Sequence, residues 1–211
     1  MSDKHDIPYL DECEAAGADY NFIVSVMWNH VFPQNVLQRA SNGGINFHPA
    51  PLPQYRGSFA RTHAIINREE VFGVTIHHLF ERVDTGDIIA ELEFPIQPDE
   101  TAISLDLRAQ EYGFPLFCLT WLRLLDGSST AVDQSSLIAS GQRRARFYPL
   151  SAMDDLIASE DAPRSEDELQ RLFRALFLPP RITPPDWLCR RLAGSDLLQR
   201  LNWPPSAQGN K

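Results

Sequence analysis

The run GGINFHPAPLPQYRG (residues 43–57) sets an amide, an imidazole, three prolines, a guanidinium and flanking glycines within fifteen residues. Just before it, Phe22 to Met27 (FIVSVM) is apolar enough for a buried strand, so the run leaves the edge of a core. Asn46 and His48 are two apart, which in extended backbone places both side chains on one face. Pro49, Pro51 and Pro53 forbid helix in the residues just before them and stiffen the chain. A fixed donor beside a fixed acid–base group suits chemistry at a carbonyl carbon.

Working outward, residues 33–40 predict a helix opening at Pro33 and closed by Gly43-Gly44. Residues 59–68 predict a helix with Phe59, Thr62, Ile65 and Ile66 on its buried face. Gly73 to Phe80 reads as a strand, with His77 and His78 on opposite faces, and Asp84 to Ile89 as a turn into another strand ending near Pro95. A long helix is expected over 102–125, its buried stripe being Leu105, Ala109, Tyr112, Leu116, Leu119 and Leu122, with Pro115 kinking or splitting it. Residues 127–141 are Ser-rich and read as loop, 142–150 as a short strand, and 166–177 as a helix opened by a Ser165/Glu168 capping box. A short helix is expected across Leu10 to Ala16, and the end from Ser206 reads as frayed.

The acidic body narrows the partners. Residues 1–140 carry 8 Lys and Arg against 19 Asp and Glu, which disfavours nonspecific nucleic-acid or anionic-membrane binding. Cys13, Cys118 and Cys189 fall in no paired spacing, so the expectation is a cytoplasmic chain without disulfides or a cysteine metal site. No long apolar run or signal peptide is read. A zinc set of His48, His77 and Asp84 lacks any close-spaced ligand motif, and no metal is expected.

Four segments in order, Asn-x-His-Pro, Leu-Pro-x-Tyr-Arg-Gly, Gly-Val-Thr-Ile-His and Asp-Thr-Gly-Asp-Ile, resemble the folate-dependent formyltransferase family across residues 20–126. Residues 171–180 (RLFRALFLPP) resemble the segment after the catalytic domain in sugar-nucleotide N-formyltransferases. The resemblance implies an α/β, partial Rossmann-like domain with a mostly parallel sheet over 1–127, lacking the family's usual first β/α units, and a small C-terminal extension over 128–211. It implies N10-formyltetrahydrofolate as co-substrate, a place in one-carbon metabolism, and a small-molecule amine acceptor, with an amino-sugar nucleotide favoured. Formyltetrahydrofolate hydrolysis, or a truncated domain acting by association, are the alternatives. A homo-oligomer, or a partner chain supplying the missing units, is the expected association.

The family's catalytic trio falls on Asn46, His48 and Asp84. Asn46 would donate to a developing oxyanion, His48 would stabilise the same oxygen when charged and move the amine proton, and Asp84 would orient His48 or an ordered water and favour the imidazolium. Taken singly, Asn46 also reads as a turn amide, His48 as a packed loop histidine and Asp84 as an Asx turn. Tyr55, Arg56, Gly57, His63, His77, Thr85 and Gly86 are the supporting or substrate-binding candidates. Arg56 either pairs a carboxylate or anchors the loop, Gly57 and Gly86 serve backbone geometry, and His63 with Asn67 would line an acceptor pocket. Arg143, Arg144 and Arg146 read as a solvated basic face, or else as a site for the phosphate of a nucleotide substrate.

Overall fold

The computed structural model describes residue 17, residues 19–28 and residues 30–203. The expected helix over Leu10 to Ala16, Cys13 and the frayed end from Ser206 lie outside them. Four strands, β1 (Ile23–Val26), β2 (Gly44–His48), β4 (Val71–His78) and β5 (Ile88–Pro95), form a sheet in the order β1-β2-β4-β5. The parallel pairing expected of the sheet holds for β1 with β2, while β2–β4 and β4–β5 are antiparallel, so the sheet is mixed. For β4 and β5 the cause lies in their connection. Residues 79–87 are too few for a crossover and force β4 and β5 into an antiparallel pair.

Side-chain alternation gives the sheet two different faces. Ile45, Phe47, Val74 and Ile76 are buried toward one side, where helix α3 (Ala102–Leu125) crosses. There Gly113 is required by close approach, since a Cβ would come within 2.4 Å of the Phe47 ring. Thr101 caps α3 through Ser104, and Leu105 and Ala109 are wholly buried. The predicted stripe does not continue. Tyr112, Leu119 and Leu122 are 41%, 60% and 61% exposed. The far end of α3 reaches the start of the edge strand, where Trp121 meets the Phe22 ring, and among the described residues the sheet has no further strand beyond it. Nor does Pro115 split the helix, which runs unbroken; Pro115 and Glu111 are both exposed, so the carbonyl left without a partner faces water.

Short helices complete the front half: α1 (Gln34–Leu37), a single turn, shorter than the helix expected over 33–40 and preceded by Pro33 in extended backbone, and α2 (Ala60–Ile66). α2 is buried nearly all round, because it is wedged between α3 and the C-terminal segment. The Ser-rich stretch expected to be loop contains helix α4 (Gln134–Ala139), nucleated by Asp133, whose carboxylate accepts from the Ser135 and Ser136 N–H groups. Strand β6 (Phe147–Tyr148) pairs in parallel with β3 (Arg56–Gly57), so the segment after residue 127 reaches back onto the opening motif.

Helices α5 (Ala152–Ala158), α6 (Glu166–Leu176), α7 (Asp186–Arg191) and α8 (Asp196–Arg200) enclose a second core centred on Leu172, Phe173, Leu176 and Leu188. It is tied to the first by the Thr62 hydroxyl, which donates to the Ala175 carbonyl at 2.8 Å. The Ser165/Glu168 capping box opens α6 as predicted, the Ser165 N–H donating to Glu168 Oε2 at 2.8 Å. Ser165→Ala should cost about 1 kcal/mol and lower Tm by about 2–4 °C in a thermal melt. An unchanged Tm would show that the first turn of α6 is held by its packing alone.

Candidate active site

The polar face of the sheet carries the site. Register aligns Ser25 on β1 with Asn46 on β2, and Asn46 with His77 on β4. A register shift between Ile76 and His77 marks a bulge against β5 at the position where the chain aims His77 at the neighbouring strand. Asn46 Nδ2 donates to His77 Nε2 at 3.1 Å, and His77 Nδ1–H donates to the His78 carbonyl at 2.8 Å, which fixes the tautomer. His77 is 2% exposed.

Asp84 closes the group from the turn between β4 and β5. It sits at φ 54°, a left-handed conformation that Asp tolerates through local hydrogen bonding. Two residues on, Gly86 lies so close to β4 that a Cβ would overlap the His78 carbonyl oxygen, 1.8 Å away. Asp84 Oδ2 accepts from the Gly57 N–H at 2.8 Å, while Oδ1 lies 3.6 Å from His48 Nδ1, 3.5 Å from His77 Nε2 and 3.5 Å from Asn46 Nδ2. Burial opposes ionisation of Asp84, but nearby His48, the His77 contact and the Gly57 N–H outweigh it and hold the pKa down to about 2.

His48 differs from its expected electrostatics. Its Nε2–H donates to the Tyr55 carbonyl at 2.8 Å, leaving Nδ1 as the basic nitrogen on the Asp84 side. Burial lowers its pKa below the usual imidazole value, outweighing the upward pull of Asp84. The resting imidazole is therefore neutral near pH 7, with a carboxylate beside the nitrogen that would take a proton.

The other candidates separate. Tyr55 serves through its backbone: its ring is buried, stacks on Tyr148 at 5.3 Å, and its hydroxyl donates to Glu69 at 2.7 Å. Arg56 pairs no carboxylate; its Nε and Nη2 donate to Gln134 Oε1 at 3.2 and 2.7 Å. Thr85 turns back to the Arg82 carbonyl. His63 is not part of the cavity wall. It stacks on Tyr148 at 4.1 Å, and burial pushes its pKa down to about 4. Asn67 joins the same cluster, donating to the Tyr55 and Tyr148 hydroxyls. Arg143 and Arg146 are no free basic face, since Arg143 forms a two-pronged pair with Glu91 and Arg146 reaches Glu69.

Asn46, His48, His77 and Asp84 lie on the wall of a cavity of about 680 Å³. Trp28 and Phe32, whose rings stack at 6.0 Å, line it beside His30, with Arg61, Arg82 and Arg181 as its cations. Arg61 is itself paired with buried Asp106 at 3.0 Å. Among the described residues no group of three or more His, Cys, Asp or Glu side chains is placed to hold a metal ion, and no helix is long and apolar enough to cross a membrane.

The family described as Formyl transferase matches residues 2–118, more than half of the chain. The chain belongs to the formyl transferase family. Methionyl-tRNA formyltransferase of Halalkalibacterium halodurans is 31% identical over 148 residues, covering 66% of this chain and 47% of that protein. The enzyme of the same name from Synechococcus sp. (strain JA-3-3Ab) is 34% identical over 152 residues, covering 72% and 45%. This formyl transferase family chain thus spans about half the length of the curated relatives it matches. In fold it is similar to the N-formyltransferase of Helicobacter canadensis, solved with folinic acid and dTDP-3-aminofucose, at a TM-score of 0.69 and 21% identity, covering 82% of this chain and 61% of that one.

Proposed function

We propose that this chain carries the catalytic site of an N-formyltransferase moving a formyl group from N10-formyltetrahydrofolate to an amino group, with an amino-sugar nucleotide as the favoured acceptor. One observation carries the reading. A single carboxylate oxygen, Asp84 Oδ1, lies within 3.6 Å of His48, His77 and Asn46 on the wall of one cavity.

The cavity fits a folate. Its volume lies within the range of small-molecule sites, roughly 300–1,000 Å³, and its wall combines the Trp28 and Phe32 rings, suited to a flat heterocycle, with the polar group centred on Asp84. The co-substrate supplies the formyl group. Asn46 would donate the amide hydrogen not held by His77 to the carbonyl oxygen as negative charge develops there. His48 Nδ1 would take the proton of the attacking amine and return it to the departing nitrogen, while Asp84 stabilises the intervening imidazolium. His77, with its proton fixed on Nδ1, would hold Asn46 in register.

A small acceptor is supported by the acidic body of the chain, and by the amino-sugar nucleotide bound in the Helicobacter canadensis neighbour. Among the described residues β1 pairs with β2 alone, and this open edge supports a second, compatible reading, in which this chain works joined to further strands of its own polypeptide or of a partner. Val24 and Val26 on that edge are 41% and 56% exposed, and an unpaired edge presents hydrogen-bonding groups to another strand.

Titration calorimetry with 5-formyltetrahydrofolate, followed by a transfer assay with dTDP-3-aminofucose, tests the proposal. Saturable binding that is lost in Asn46→Ala, with formylated product, is the expected result. Formate release without an acceptor would replace transfer by hydrolysis. Absence of binding by folded protein would overturn the reading for the chain on its own.

A further inference from the structure

Outside the expected trio, one buried side chain grips both halves of the site. Gln134 is 1% exposed and uses its whole hydrogen-bonding capacity. Its Nε2 donates to the Asp84 carbonyl at 3.1 Å and to the Gly86 carbonyl at 2.6 Å. Its Oε1 accepts from Arg56 Nε and Nη2 at 3.2 and 2.7 Å. Arg56 directly precedes Gly57, whose N–H binds the Asp84 carboxylate at 2.8 Å. Gln134 thus spans the same two segments that this bond joins, one holding the donor and the other the carboxylate.

The backbone that presents Gln134 is fixed as well. Just upstream, Val132 exchanges two backbone hydrogen bonds with Ile88 at 2.8 and 2.9 Å, which seats this stretch beside the start of β5. Asp133 then caps α4, whose first residue is Gln134. Both carbonyls that Gln134 holds belong to the turn in which Asp84 adopts its left-handed conformation.

From this geometry we infer that Gln134 is a positioning residue for formyl transfer: it locks the Asp84-Thr85-Gly86 turn against Arg56-Gly57 so that the Asp84 carboxylate faces His48. The inference rests on the proposed transfer reading. Gln134 touches no substrate in this scheme and acts through Asp84.

Two variants separate positioning from packing. Gln134→Glu keeps the shape and the acceptor for Arg56 but loses both donations to the turn, and sets a carboxylate against two carbonyl oxygens. Gln134→Ala loses all four bonds. Displacing a reacting group by about 1 Å costs about 100-fold, so both variants should lower kcat about 100-fold with KM for the folate changed less than twofold. Folded fraction, followed by circular dichroism, normalises every rate. Wild-type kcat per folded molecule in Gln134→Glu would overturn the inference, as would a loss appearing entirely in KM.

If wild-type protein transfers no formyl group to any amine, the transfer reading fails first. The Asp84 carboxyl carbon is then titrated by NMR in wild type and Gln134→Ala, which loses the four bonds without adding a charge. A shifted Asp84 titration keeps Gln134 as the positioner of that carboxylate, and superimposable curves overturn the inference.

Discussion

His48→Ala should lower formyl transfer by about 10²–10⁴-fold, the range expected for loss of a positioned acid–base group, while leaving folate binding largely intact. The geometry separates the two effects. Nδ1, the nitrogen beside Asp84, is the one that would move the proton, whereas Nε2 is committed to the Tyr55 carbonyl. Truncation removes both. The buried Tyr55 carbonyl loses its donor, which costs about 1–3 kcal/mol of stability. Rates must therefore be compared on folded protein below the melting transition. His48→Gln tests the same step without emptying the space, since its amide can still donate to Tyr55 and has no basic nitrogen. Transfer at the wild-type rate in His48→Gln would remove His48 from the mechanism. Because burial lowers the His48 pKa, the wild-type rate should already be on its plateau at pH 7 and fall as acid protonates Nδ1.

Residue spacing made the strand-borne part of this arrangement legible. A separation of two put Asn46 and His48 on one face, and alternation along β4 placed His77 opposite His78; pairing register then set His77 directly across from Asn46. The long helix shows where spacing stops informing. Leu105 and Leu122 belong to the same recurring pattern, yet one is buried and the other exposed, because a helical repeat does not encode where the sheet beneath it ends. His63 lies off the cavity wall for a related reason. Its helix does approach the site, with Ala60 and Arg61 on the cavity wall, but His63 faces Tyr148, which comes from a strand paired far along the sequence. Gln134 gave the weakest signal. The Asp-Gln-Ser-Ser stretch could have been read as a capped helix, but a glutamine whose acceptors are backbone carbonyls of a distant turn leaves no spacing pattern.

Asp84→Asn should likewise lower transfer by about 10²–10⁴-fold, and it should also destabilise the fold in a way that depends on pH. An asparagine can still accept from the Gly57 N–H, but its NH₂ would then face the Asn46 amide and the His48 and His77 nitrogens in place of an anion. The imidazolium formed on His48 during transfer would lose its counter-charge. For stability the sign is set by the depressed pKa. With Asp84 titrating near 2 in the folded chain against an ordinary value of 3.8, the folded state binds this proton less readily than the unfolded one. The stabilisation is complete above the ordinary value and disappears as pH falls through the folded pKa. It amounts to about 2 kcal/mol. Urea unfolding of wild type and Asp84→Asn should therefore differ by about that amount at both pH 7 and pH 5, with the gap closing only between pH 4 and pH 2. The histidine at position 63, whose folded pKa of about 4 makes both proteins less stable below pH 6.5, is common to the pair and drops out of the difference. A gap that instead widened between pH 7 and pH 5 would mean that His48, gaining its charge beside Asp84 as pH falls, contributes more than the Gly57 N–H to keeping Asp84 ionised in the folded chain.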